Sequence, residues 1–242
     1  MKVGNVLAAF RALPVMAHAG LIGRNFAVLA PHPDDESLGC GGVIAEACAA
    51  GCPPHIIILT DGAASHPGSS HFPPEAVAAL RAEEAVAAVS ELGVPRDRLH
   101  FLHEPDGHAP HDADGLTRAA SAVAGIAQGC DAVLVTWRHD PHGDHVSAQK
   151  IARRAATALG ARLLEYPVWG WTLPVEATLP DTAWQGGRVE ISAHLAAKRA
   201  AIRAHRSQHG AVITDDPTGF TLPDTFLALF DTDWEIFVEA PG

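Results

Sequence analysis

Apolar runs and helix-spaced apolar positions alternate along most of this chain. The runs Phe26–Ala30, His55–Thr60 and 132–137 are almost continuous in apolar residues, the mark of strands covered on both faces. Residues 99–102, 162–168 and 189–191 read as shorter strands, and Trp234–Glu239 alternates like an edge strand. Between them the spacing predicts helices over 5–19, from Glu36 or Ser37 to about Ala50, and over 75–92, 116–128 and 146–159. A basic, alanine-rich helix is expected from Ser192 to about Gln208. Gly51 with Pro53 and Pro54, and Gly93 with Pro95, supply stop signals. Strand–helix–strand units imply parallel pairs with right-handed crossovers. The expectation is an α/β fold, Rossmann-like, with a mostly parallel central sheet and helices on both faces. No repeat or linker divides the sequence, so residues 1–242 read as a single domain, long enough for a full core.

Composition narrows the partners. Hydrophobic residues make up 48% and charged ones 19%, ordinary for a soluble protein. The formal net charge of −11 argues against nucleic acid or an anionic membrane as the main partner. A small amide or a neutral N-acetylated sugar stays compatible with it. Four cysteines, Cys40, Cys48, Cys52 and Cys130, form no CxxC and read as reduced thiols. Lys2, an apolar stretch and Ala17-His18-Ala19 loosely imitate a secretory leader, but Arg11 and Pro14 interrupt it. An N-terminal helix and a cytoplasmic location are therefore expected. No apolar run is long enough to span a bilayer.

The chemistry gathers where strands end. His32-Pro33-Asp34-Asp35-Glu36 follows the first strand, Thr60-Asp61 ends the second, Asp106 follows the third, and His139 to His145 follows the fourth. Carboxylates there are expensive to bury and do little for packing. In open parallel sheets this end of the strands is where ligands bind. His32 and Asp35, three apart across a turn, can point at one spot, and His145 can supply a third ligand. Two histidines, one carboxylate and an open position suit catalytic zinc, and also iron(II). Zinc is favoured for hydrolysis because it acidifies a bound water without redox chemistry. Asp34, beside a ligand, is a candidate general base. His142 is a candidate for steadying an oxyanion or donating a proton, and Asp144 for fixing a histidine tautomer. Helix N-capping would account for one of Asp34 and Asp35 but not for both with His32. Isolated loop histidines such as His66, His71, His108 and His111 are expected to be solvated.

His32-Pro33-Asp34-Asp35-Glu36 together with His142-Gly143-Asp144-His145 resembles the LmbE-like/PIG-L family of zinc-dependent N-deacetylases, and the likeness extends over most of the chain. The resemblance implies zinc on His32, Asp35 and His145, with Asp34 as base and His142 as electrostatic helper. It also implies substrate binding by Arg81 and Asp106, which match positions that hold sugar hydroxyls. On spacing alone Arg81 could equally pair with Glu84. A tyrosine that some members carry before the second histidine motif is missing, and Asp140 stands there. The expected activity is removal of an N-acetyl or similar acyl group from an amide, on an N-acetylglucosamine-type sugar or conjugate. The alternatives are an amidase acting on a non-sugar or thiol-conjugate amide, and a non-catalytic carbohydrate- or metal-binding module. Binding alone would not require Asp34. A metallophosphoesterase fits less well, for want of a second metal set and a basic cradle.

Weaker signals complete the reading. Gly39-Cys40-Gly41-Gly42 lacks the offsets of a dinucleotide-binding turn and reads as close helix–sheet packing. The basic stretch 198–208 has two readings, a border of the substrate mouth with His205 and Gln208 near the site or a solvated face, and the solvated face is the expectation. Loops 62–74, 104–115 and 169–187 are expected to set specificity. Trp169, Trp171 and Trp184 have two readings, stacking on a sugar ring or a contact in a homo-oligomer.

Overall fold

A computed structural model describes residues 1–180 and 183–240. Asp181 and Thr182 of the expected 169–187 loop, and the last two residues of the chain, lie outside them. Helix α1 (Val3–Arg11) and the single turn α2 (His18–Leu21) replace the one helix expected over 5–19. Pro14 explains the break, since it has no amide proton to donate and disfavours helical backbone at the residue before it. Val3, Val6, Leu7 and Phe10 form the buried stripe of α1 and pack on Trp137, Ile236 and Val238.

The sheet holds β1 (Phe26–Ala30), β2 (His55–Thr60), β3 (Leu99–Glu104), β4 (Ala132–Thr136), β5 (Arg162–Tyr166), β6 (Gly186–Glu190) and β7 (Trp234–Glu239). Their order is β3-β2-β1-β4-β5-β7-β6. The first five run parallel, while β7 is antiparallel to both of its neighbours. The expected edge strand is thus an inner one, buried along Glu235–Val238, and β6 forms the edge. Strand β6 begins at Gly186, earlier than its sequence suggests. Pairing with β7, rather than the propensity of Gly186-Gly187-Arg188, makes it a strand.

Crossover helices cover both faces. Val28 and Ala30 of β1 face a layer with α3 (Asp35–Ala49) and α4 (Pro74–Glu91), while Ala27 and Leu29 face α5 (Ala113–Ile126) and α6 (Gly143–Leu159). This is the expected mostly parallel, Rossmann-like sheet with helices on both sides. The small residues of α3 allow close approach. A Cβ on Gly39 would lie 2.1 Å from the ring of Tyr166, and one on Gly42 would lie 2.6 Å from Ile191.

The basic stretch departs from expectation. Helix α7 (Leu195–Ala204) is followed by a 3₁₀ turn at Arg206–His209, and its inner face is buried. Lys198 is buried and its Nζ donates to Glu235 Oε1 at 2.7 Å. Glu235 also accepts the amides of Gly42 and Val43, so the pair is fully engaged. His205, Ser207 and Gln208 are buried as well. A carboxylate reaching in from β7 is what turns a basic helix inward here. A short helix, α8 (Asp224–Leu227), precedes β7. All four cysteines are free thiols. Among the described residues no helix is long and apolar enough to cross a membrane.

Candidate active site

Strands β1 and β4 are neighbours in space but separated by two crossovers in sequence, so the direction of winding reverses between them. A crevice must open beyond the carboxyl ends of such a pair. The segment 31–36 leaves β1 there and the segment 137–145 leaves β4, which brings the two motifs together.

His32 is held by carboxylates at both ring nitrogens. Its Nε2 lies 3.2 Å from Asp106 Oδ1 and 3.1 Å from Asp144 Oδ2, and its Nδ1 lies 3.3 Å from Asp35 Oδ2. Asp144 is itself fixed by the amides of Gly107 and Ala109. His145 is fully buried, with Nδ1 3.0 Å from Asp140 Oδ2 and Nε2 3.4 Å from Asp35 Oδ2. With Nδ1 engaged by Asp140, Nε2 is the nitrogen left to face Asp35. Among the described residues that buried Nε2 has no hydrogen-bond partner. His142 Nδ1 accepts the amide of Asp144 at 3.2 Å, which leaves Nε2 as the donor of its neutral ring. Its ring stands edge-on to His32, with centroids 4.7 Å apart.

The electrostatics favour positive charge at this point. Burial disfavours charge on His145, yet Asp35 and Asp140 outweigh it and raise the imidazole to about 9. Burial likewise works against Asp35, but His145 and His32 hold its carboxyl well below the usual range. Burial, and then His32 and His145, lower His142. A field that stabilises protons on His32 and His145 equally suits a divalent cation that displaces them. Ligand atoms of His32, His142 and His145 lie within 4.8 Å of one another, as do those of His32, Asp106 and Asp144. The donor set and the orphaned His145 nitrogen therefore fit a metal ion.

Asp34 does not cap α3, because its side chain makes no capping hydrogen bond. Its backbone has φ 157° and ψ −28°, an unusual conformation for a residue with a Cβ. Two contacts hold it. Glu36 accepts its amide, and Arg81 Nη2 donates to Asp34 Oδ2 at 3.0 Å and to the carbonyl of Pro33 at 2.9 Å. Burial pushes the Asp34 carboxyl up to about 6, with Arg81 pulling it down and Asp35 pushing it further up. Arg81 is thus committed to Asp34 rather than to Glu84, whose carboxylate is taken by Ser207. Arg81→Met should leave a buried carboxyl without its cation and cost about 3–5 kcal/mol of stability, measurable by urea unfolding. A loss below about 1 kcal/mol would show the pair to be a minor support.

A cavity of about 230 Å³ opens onto these groups. Its walls include His32, Asp34, Asp35, Arg81, Asp106 and His142, all six of them singled out in the sequence for metal, catalysis or substrate binding. Trp169 is also a wall and stacks on Phe226 at 4.3 Å between centroids. Trp171 and Trp184 instead pack edge-on against Phe10 in the N-terminal cluster, away from this cavity. Phe220, whose ring stands 5.9 Å from that of Trp169, and Leu222 extend the wall from a loop that sequence reading passed over. His66, expected to be solvated, is buried beneath Gly219 of that loop. Sequence reasoning also missed the hold of Asp140 on His145. The only signal was an aspartate five residues before the histidine in a proline-containing turn.

With this fold and this centre, the protein falls among enzymes of the doubly wound α/β class that act by hydrolysis. A family model described as GlcNAc-PI de-N-acetylase (PIG-L) matches residues 27–156, and the chain belongs to that family. A relative from Mycolicibacterium vanbaalenii, 1D-myo-inositol 2-acetamido-2-deoxy-alpha-D-glucopyranoside deacetylase, is 28% identical over 87% of this chain and 89% of its own. The N,N'-diacetylchitobiose deacetylase of Pyrococcus horikoshii superposes with a TM-score of 0.65 at 20% identity, covering 90% of this chain and 84% of its own. The 4-carboxy-2-hydroxymuconate hydratase of Pseudomonas putida KT2440 superposes with a TM-score of 0.62 at 19% identity, covering 90% of this chain and 96% of its own. At such identities the last two speak for the fold alone, and the fold serves more than one reaction. The reaction must be argued from the side chains.

Proposed function

We propose that this enzyme removes the acetyl group from an N-acetylglucosamine-type sugar joined to a polyol such as inositol, using zinc or another divalent ion held by His32, Asp35 and His145. The observation that carries the reading is the convergence of two histidine nitrogens on Asp35, one of them buried without a hydrogen bond, with Asp34 beside them. The relative's substrate supplies the sugar class. A bound divalent ion would acidify water and polarise the amide carbonyl.

The chain's own residues do the rest. Asp34, raised to about 6 chiefly by burial, is poised to accept a proton from the attacking water near neutral pH. Arg81 and Glu36 keep that carboxyl in place while its backbone is strained. His142 lines the cavity with Nε2 as its free donor, and that N–H can stabilise negative charge on the carbonyl oxygen and pass a proton to the leaving amine. Asp106 has one carboxylate oxygen on His32 and the other on the amide of Ala64, which positions it at the wall where sugar hydroxyls would lie.

Acetate release from N-acetylglucosaminyl-inositol, N-acetylglucosamine and a thiol-conjugate amide tests this reading. The inositol glycoside should be cleaved fastest, and a chelator should stop the reaction until zinc is restored. Cleavage of the thiol-conjugate amide in preference to both sugars would refute it.

A further inference from the structure

A second cavity, of about 390 Å³, lies beside the site and is larger than it. Pro167, just beyond the end of β5, and Trp234, at the start of antiparallel β7, place it at the same end of the sheet. Leu38 lines both cavities, so one side chain of α3 forms part of the partition. Its size is within the range that encloses a small organic molecule.

The lining has an uneven charge. Arg11 lies 5.3 Å from the ring centre of Trp171, and Arg188 lies 5.0 Å from that of Trp234. Among the described residues neither guanidinium has a carboxylate partner. Arg188 Nε donates to the carbonyl of Leu13, and that fixes its planar group over the indole. The one carboxylate in the lining, Glu235, is already taken by Lys198 and two amides. Lys198 and Glu235 cancel, which leaves two positive charges in a cavity of a chain whose formal charge is −11. Leu229, Phe230 and Ile236 make the remaining surface largely apolar.

We propose that this cavity is a binding site for a small organic anion, a carboxylate, sulfonate or phosphate carried on an apolar body. The anionic group lies against Arg11 and Arg188, and the apolar body lies along Leu229 and Phe230. Arginine is suited to this because its flat, weakly hydrated cation tolerates an indole on one side and an anion on its edge. The site needs neither the metal nor Asp34, so it stands or falls apart from the proposed deacetylation.

Fluorescence titration of the intact protein with 1-anilinonaphthalene-8-sulfonate tests it, with N-phenyl-1-naphthylamine as the uncharged comparison. One sulfonate dye per chain is expected, bound more tightly than the neutral dye and equally well with or without a chelator. Arg11→Gln, at an exposed position, should weaken the sulfonate by about tenfold, the scale of one charge-assisted hydrogen bond. Ala228→Trp should block both dyes by filling the cavity while leaving the arginines in place. Equal affinity for the two dyes, an unaltered Arg11→Gln titration, or an equal loss in the remote variant Arg154→Gln would overturn the proposal. Arg11-dependent pelleting with phosphatidylglycerol vesicles, without binding of the free dye, would assign the charges to a lipid surface and overturn it too.

Discussion

His145→Ala is expected to give a folded chain that retains no stoichiometric zinc and releases no acetate. The ring is fully buried, Nδ1 is tied to Asp140, and Nε2 has no protein hydrogen bond to lose. Removing it takes away a buried donor whose orientation Asp140 fixes. It also leaves Asp35 and Asp140 as neighbouring carboxylates without the imidazole that both contact, which works against the fold. Elemental analysis of the purified variant, with far-ultraviolet circular dichroism to check folding, reads the outcome directly. Asp140→Asn should show a milder version, weakening metal retention by roughly 10–100-fold, because the histidine stays while its orienting carboxylate is neutralised. Full metal content in the alanine variant would remove His145 from the ligand set.

The second large effect is expected from Asp34→Asn, which should keep its metal and lose roughly 10²–10⁴-fold in kcat. Asparagine preserves the volume and an oxygen for Arg81 to meet, so the strained turn and the clamp from Glu36 have their partners. What it lacks is a site that can take a proton. The contrast with His145→Ala carries the argument, since one variant loses metal and activity together and the other loses activity alone. Wild-type turnover in Asp34→Asn would eliminate the general-base role, whereas loss of metal from it would point to Asp34 as a ligand.

The centre of the sheet was legible because β1, β2 and β4 are buried on both faces and their sequences are correspondingly apolar. The two motifs stood out for the opposite reason, as charged groups placed where burial is costly. Elements set by tertiary pairing were harder to read. Strand β6 starts with two glycines and an arginine, and only the register with β7 makes it a strand. Trp234–Glu239 alternates weakly enough to pass for an edge, yet β6 covers its outer side. Lys198 looked like surface because the carboxylate that receives it lies 37 residues further on. The same holds in the site. Asp144 meets His32 across 112 residues and Arg81 meets Asp34 across 47, distances over which no local pattern speaks.

Asp140 places a limit on how this protein can vary. Its carboxylate accepts the amide protons of Val168, Trp169 and Gly170 as well as facing His145. The turn that carries the Trp169 wall and the histidine at the centre are therefore anchored to the same two oxygens. Side chains at 168 and 169 can change with the substrate, but three amide protons must remain. Proline is excluded at each of these positions, and Gly170 has the further constraint that a Cβ would lie 2.4 Å from the Trp137 ring. New specificities at this rim must come from side-chain exchange, or from the adjoining loop at Phe220 and Leu222, rather than from rebuilding the turn.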